Sequence, residues 1–164
     1  MDSFSPHSIG GAVVLLVVGF VIGVAAGCGP RPIPATTVST SQAAWDRAVA
    51  AFESGDVAIT LESLNAALGS TGGLSGDLLV DALLMRAVCL AAARRSDEAE
   101  ADLELAAEGV TDPDQLCIAR AAVCFSRGEP KAADRQMTEA LNWNPRASET
   151  PLWKAAKAIA ADGK

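Results

Sequence analysis

A chain of 164 residues with net charge −7, half of it hydrophobic but only 4% aromatic, has room for one domain and an appendage. Its single histidine, His7, lies near the N-terminus, which argues against histidine-based catalysis and histidine-ligated metal. All 13 Lys and Arg follow Cys28 and only Asp2 of the 20 acids precedes it, so the remainder is net acidic without a basic stripe, which argues against nucleic acid as partner.

From Ile9 to Ala26 the chain is almost continuously apolar, GGAVVLLVVGFVIGVAA after the Ile. The run has no polar face, so it does not read as a core helix. About 18 apolar residues suffice either to cross a bilayer or to form a long signal-peptide core. Ala25-Ala26-Gly27-Cys28 at its end resembles a bacterial lipobox. That resemblance implies removal of residues 1–27 and acylation of Cys28, traceable with palmitate. Ala25 stands where the motif has Leu, and the leader has no Lys or Arg. The alternative is an uncleaved transmembrane helix; Arg31 beyond it would then hold the domain on the cytoplasmic side. By the lipoprotein resemblance, Gly29 in place of an Asp retention signal implies the outer membrane, facing the periplasm. Residues 28–40 are Cys28 followed by GPRPIPATTVST, whose three prolines suit a hydrated tether.

The domain is expected over 41–161. Ser41 is placed to cap a helix to about Ser54, with the stripe Trp45, Ala48/Val49, Phe52. After Gly55-Asp56, a second helix to Leu68 is expected to bury Val57, Leu61, Leu64 and Leu68. A Gly/Ser loop, 69–76, leads to a helix over Asp77–Ala93 that is apolar nearly all round, as suits a position covered on both sides. Arg94-Arg95-Ser96 ends it, and a helix from Asp97 to Glu108 follows. Asp112-Pro113-Asp114-Gln115 predicts a helix start with Asp as N-cap, Pro at N1 and Gln reaching back. That helix runs to Arg127. Another restarts at Pro130 and stops at Asn144-Pro145, and a last one runs from Thr150-Pro151 to Ala161, with Leu152, Ala156 and Ile159 on one face and Lys154 and Lys157 on another.

Ala87, Ala99, Leu103 and Ala106 recur as Ala121, Ala133, Met137 and Ala140, each 34 residues on; Ala48, Thr60, Leu64 and Ala67 precede the first set by five more. With Gly128 at the turn and Pro145 at the stop, this pattern resembles the tetratricopeptide (TPR) repeat, a helix-turn-helix unit of about 34 residues. Cys117 and Cys124 stand where the motif has aromatic residues. The resemblance implies an all-α fold: a short right-handed solenoid of three TPR-like helix pairs, with the last helix capping the exposed core of the third.

The resemblance also implies a concave groove lined by the first helix of each pair: Trp45, Val49 and Phe52, then Leu84 and Val88, then Ile118, Ala122 and Phe125. The groove suits an apolar or amphipathic partner segment and lacks the Lys/Asn/Arg clamp of chaperone-binding relatives. Equally open is that these side chains are satisfied inside, by the tether, the last helix or tight curvature. Cys117 and Cys124, seven residues apart on one helix, cannot pair; a Cys89–Cys124 disulfide is geometrically conceivable beside three buried free thiols. No cofactor or metal cluster is expected. Glu98, Glu100, Asp102, Glu104 and Glu108 read as a solvated face. Nucleophile–base pairs and phosphate loops are absent from the pattern, so an enzyme is the weakest reading. The leading one is a membrane-anchored interaction module for envelope proteins, whose partners by resemblance are assembly machinery for outer-membrane proteins, pili or cell-wall enzymes. The other is a structural accessory subunit of a larger membrane complex.

Overall fold

The computed structural model describes residues 35–69 and 73–162, and among these the chain forms seven α-helices and no strand. They are α1 (Ala35–Glu53), α2 (Val57–Gly69), α3 (Gly76–Ala92), α4 (Ser96–Ala107), α5 (Pro113–Ser126), α6 (Pro130–Trp143) and α7 (Pro151–Asp162), with a 3₁₀ turn at Ala147–Glu149 before the last. The helices pack pairwise, α1 on α2, α3 on α4 and α5 on α6, each pair joined by a short turn. The stretch expected as a signal peptide or membrane anchor, residues 1–27, together with Cys28 and most of the expected tether, lies outside the described residues.

The three pairs close with one turn geometry. Gly55, Arg94 and Gly128 have φ of 78°, 61° and 75°. The N–H of the following residue reaches back to a carbonyl in the last turn of the helix: Asp56 to Ala51, Arg95 to Leu90 and Glu129 to Cys124, each at 2.9 Å. The positive-φ residue itself donates to Phe52, Ala91 or Phe125. This is the Schellman closure, which satisfies carbonyls the helix end would leave unpaired. The turns are spaced 39 and 34 residues apart, the same intervals that separate the small buried residues. Ala48, Ala87 and Ala121 are each 0% exposed; so are Thr60, Ala99 and Ala133; and Ala67, Ala106 and Ala140 differ by no more than 1%. Small side chains at these places let the helices of a pair approach closely.

The same register exposes one polar position that differs between pairs. Asp102 of α4 is buried, and Arg86 of α3 grips it with two hydrogen bonds, Nε–Oδ2 at 2.7 Å and Nη2–Oδ1 at 2.6 Å, while Nη1 donates to Asn65 of α2 at 3.1 Å. Asp102 therefore leaves the solvated acidic face expected of α4, because a basic side chain on the neighbouring helix lies within reach. Its counterparts are Ser63 and Gln136, whose Oγ and Oε1 are buried without a partner among the protein atoms.

Three further expectations are corrected. α1 begins at Ala35, directly behind the last proline of the tether, since Pro34 cannot obstruct a helix that starts after it. Ser41 is thus a buried residue inside α1 rather than its cap. In α2 the fully buried set is Thr60, Ser63, Leu64 and Ala67, with Val57, Leu61 and Leu68 only half-buried. Asp112 holds the N-cap position of α5 but makes no side-chain cap bond; its carbonyl accepts the Gln115 N–H instead, at 3.1 Å. The stop at Asn144 does form as a polar knot, its Nδ2 donating to buried Asp114 and its Oδ1 accepting the Arg146 N–H.

α7 is placed differently from a helix that continues the stack. α3 lies against α2, and α5 against α4, but α7 packs on α5 and α3 with no more than marginal contact to α6. It therefore covers the face made by the first helices of the second and third pairs. Thr150 starts it, its hydroxyl accepting the Trp153 N–H at 3.2 Å. Leu152, Ala156 and Ile159 are buried in one cluster with Leu84, Val88, Ile118, Ala122 and Phe125, and Lys154 and Lys157 face outward. Burying Leu152 and Ile159 contributes about 2 kcal/mol each. Lys157 Nζ sits 5.7 Å from the centre of the Phe125 ring.

Candidate partner-binding face

The eight side chains expected to line a groove fall into two groups. Leu84, Val88, Ile118 and Ala122 are at most 1% exposed and Phe125 is 8%, all beneath α7. Trp45, Val49 and Phe52, one stripe at helical spacing on α1, remain half-buried. Between that stripe and the rest runs a trough of about 290 Å³, walled by Trp45, Val49 and Phe52 on one side and by Leu84, Met85 and Leu152 on the other. A smaller recess of about 190 Å³ continues from Phe52 past Val88 and Cys89 to Ile159.

The rim of the trough is acidic. Glu53 and Asp81 line it directly. Asp81 also lines a neighbouring polar recess of about 200 Å³ that holds Asp77 and Asp112, with Asp81, Leu84 and Gln115 shared between the walls of trough and recess. Burial, then the neighbouring Asp112 and Asp77 carboxylates, raise the Asp81 carboxyl above the usual carboxylate range. Among the described residues no Lys or Arg forms an ion pair with these three; the five pairs present involve other acids. Sequence reasoning passed over this cluster, although Asp77 and Asp81 stand four apart, which places like charges side by side on a helix. What it lacked was the approach of Asp112 from the next pair.

Cys89, Cys117 and Cys124 are free thiols. Cys89 lines the recess beside Phe52 and Ile159, whereas Cys124 lines an outer cavity among Glu100, Arg120 and Arg135. The repeat equivalent of Cys89 is Val123; one residue further on, Cys124 is turned by about 100° about the helix axis, so the two sulfurs do not face each other. Burial pushes the Cys89 thiol up to about 12 and is the largest cause raising Cys117 and Cys124 as well. The described residues hold no group of three His, Cys, Asp or Glu arranged for a metal ion, the Asp77–Asp81–Asp112 cluster included. No helix among them is long and apolar enough to cross a membrane. The apolar run Ile9–Ala26 and the acylation candidate Cys28 lie outside the described residues.

Compared with known protein families, curated proteins and solved structures, the chain matches none.

Proposed function

We propose that this chain is a non-enzymatic protein-interaction module of TPR-like build, tethered to a bacterial envelope membrane, that takes a segment of a partner protein along the inner side of α1. One observation carries the reading: the Trp45–Val49–Phe52 stripe stays half-buried beside an open trough, while its counterparts on α3 and α5 are covered. An apolar stripe of this spacing is suited to the side chains of an extended or helical segment. The TPR-like reading draws support from the three matching Schellman turns and from buried small residues at intervals of 39 and 34.

The tether is argued from sequence. Ala25-Ala26-Gly27-Cys28 supports acylation at Cys28 and an outer-membrane site facing the periplasm; the leader without Lys or Arg supports an uncleaved helix with the domain in the cytoplasm. Palmitate incorporation that vanishes in Cys28→Ser decides for the lipid, and unchanged incorporation with an intact N-terminus decides for the helix.

A second reading, a permanently assembled accessory subunit, is favoured by large apolar side chains on the outer helices: Trp143 is 61% and Leu105 58% exposed. Photo-crosslinking in intact cells separates the two. A photoreactive residue at Val49, but not at exposed Ala101 on α4, should join a partner if α1 is the docking face. Adducts from Ala101 and Leu105 with none from Val49 would favour the subunit, and no adduct at Val49 would remove the trough as a docking site.

A further inference from the structure

We infer that the segment held in the α1 trough is a basic amphipathic helix, its apolar side chains against Trp45, Val49 and Phe52 and a Lys or Arg reaching Asp81. This rests on the docking reading above and names the partner chemistry for the same site.

Charge complementarity selects the occupant. The trough has apolar walls and carboxylates at its rim, Glu53 and Asp81, with Asp77 and Asp112 in the adjoining recess. None of Asp77, Asp81 and Asp112 has an ion-pair partner among the described residues. Like charges gathered without a counter-ion oppose one another, and a cation placed among them relieves that opposition. An acidic or phosphorylated segment would add to it, and so would an anionic lipid surface. The trough, at about 290 Å³, admits one or two aliphatic side chains, the number that a single helical turn presents along one face.

The fold itself contains an occupant of this kind. α7 is an amphipathic helix whose Leu152, Ala156 and Ile159 enter the same inner face one helix further along, with Lys154 and Lys157 left outside. α7 covers α3 and α5 and meets the α1 stripe only at its edge, where Leu152 forms one wall of the trough and Ile159 lines the recess beside Phe52. A second helix of similar build would extend that layer across α1. Its cation would meet the carboxylates that α7 does not neutralise.

The test uses the full chain in detergent and three fluorescent 14-residue peptides: a helical Leu/Ala peptide with Lys beside its apolar face, the same peptide with Glu for Lys, and a scrambled peptide of the Lys composition. Fluorescence anisotropy should give the Lys peptide an affinity at least tenfold above the other two, falling as salt is raised. Asp81→Asn with Asp112→Asn should bring the Lys peptide to the level of the Glu peptide at unchanged helicity, and Val49→Lys should abolish binding. Equal affinity for Lys and Glu peptides, equal affinity for the scrambled peptide, or a double variant that binds as tightly as the parent overturns the inference. So does a folded parent chain that binds none of the three. A Val49 adduct in cells together with any of those results removes the basic partner and leaves the docking face standing, whereas a missing Val49 adduct removes the docking face itself.

Discussion

The first helix pair and the two that follow share one turn and one set of buried small residues, yet they are differently covered. Around α3 and α5 the core is continuous from Leu83 to Ile159 and includes α7. The first pair contributes only Ala48 and Leu64 to a small second cluster, which Ala82 of α3 completes with Trp45 and Leu68 at its edge, while Phe52 packs against the rim of the larger core. Each pair has an apolar stripe on its first helix, but only the later two lie beneath a covering helix. The repeat pattern thus sets where a side chain points, and the single copy of α7 sets whether it is buried. An equivalent position in a repeat is not an equivalent environment at the end of the array.

The sharpest way to break this comparison is to place a charge at matching positions. Ile118→Asp puts a carboxylate where exposure is 0% and should cost about 4 kcal/mol or more, losing the cooperative transition in urea and much of the helical circular dichroism. The same reasoning applies to Leu84, so neither substitution can report on a partner without first disturbing the fold. Val49→Asp, on the half-buried stripe, should shift stability by about 1 kcal/mol or less. If Val49→Asp unfolds the chain as Ile118→Asp does, the first pair is as enclosed as the others and the trough is not a surface.

Much of this division could be foreseen from the residues, and part of it could not. The interval of 34 between Ala99 and Ala133 named both as core, because an alanine repeated on one helical face has little reason to recur except close packing. The amphipathic face of α7 was equally legible in Leu152, Ala156 and Ile159. Its destination was not: nothing in the sequence distinguishes a helix that caps α6 from one that folds back over α3 and α5, since both bury the same stripe. Asp102 was read as solvated because its local pattern, acids on every side, matches a solvated face. Only the neighbouring helix brings Arg86 to it.

A second contrast lies at that position. Asp102→Asn leaves the Arg86 guanidinium half-enclosed without its carboxylate and should cost about 3 kcal/mol in urea denaturation, near the lower figure for breaking a buried pair because Arg86 keeps some exposure. Ser63→Ala removes a buried hydroxyl with no partner in the protein and should be neutral or stabilising by up to about 1 kcal/mol. A comparable loss from both would mean that the first pair carries a polar tie as strong as the second.

The turns offer a smaller test. Gly128 has positive φ, so Gly128→Ala should cost about 1 kcal/mol. Arg94 already bears a side chain in that conformation, and its guanidinium donates to the Ser126 carbonyl of α5 at 2.8 Å. Arg94→Gly should return about half of that strain, the rest being offset by the lost hydrogen bond and by the freer unfolded chain. Thermal denaturation of both variants would show opposite signs. A destabilised Arg94→Gly would make the tie to Ser126 worth more than the backbone strain it accompanies.

The smallest expected effect bears on the trough itself. Because burial and then Asp112 and Asp77 raise the Asp81 carboxyl, the folded chain binds that proton more tightly than the unfolded chain does. Its contribution to stability is therefore present below the ordinary carboxylate value of 3.8, is lost as pH rises from there through the raised folded value, and stays lost at neutral pH. Asp81→Asn, which cannot ionise, should match the parent in acid and exceed it at pH 7 by about 0.5 kcal/mol, a modest gain because the group is only half-buried. Denaturation curves at pH 3 and pH 7 give the difference directly. A parent chain favoured over Asp81→Asn at pH 7 would mean that the carboxylate is already compensated within the fold, and the acidic rim would then have no call on an outside cation.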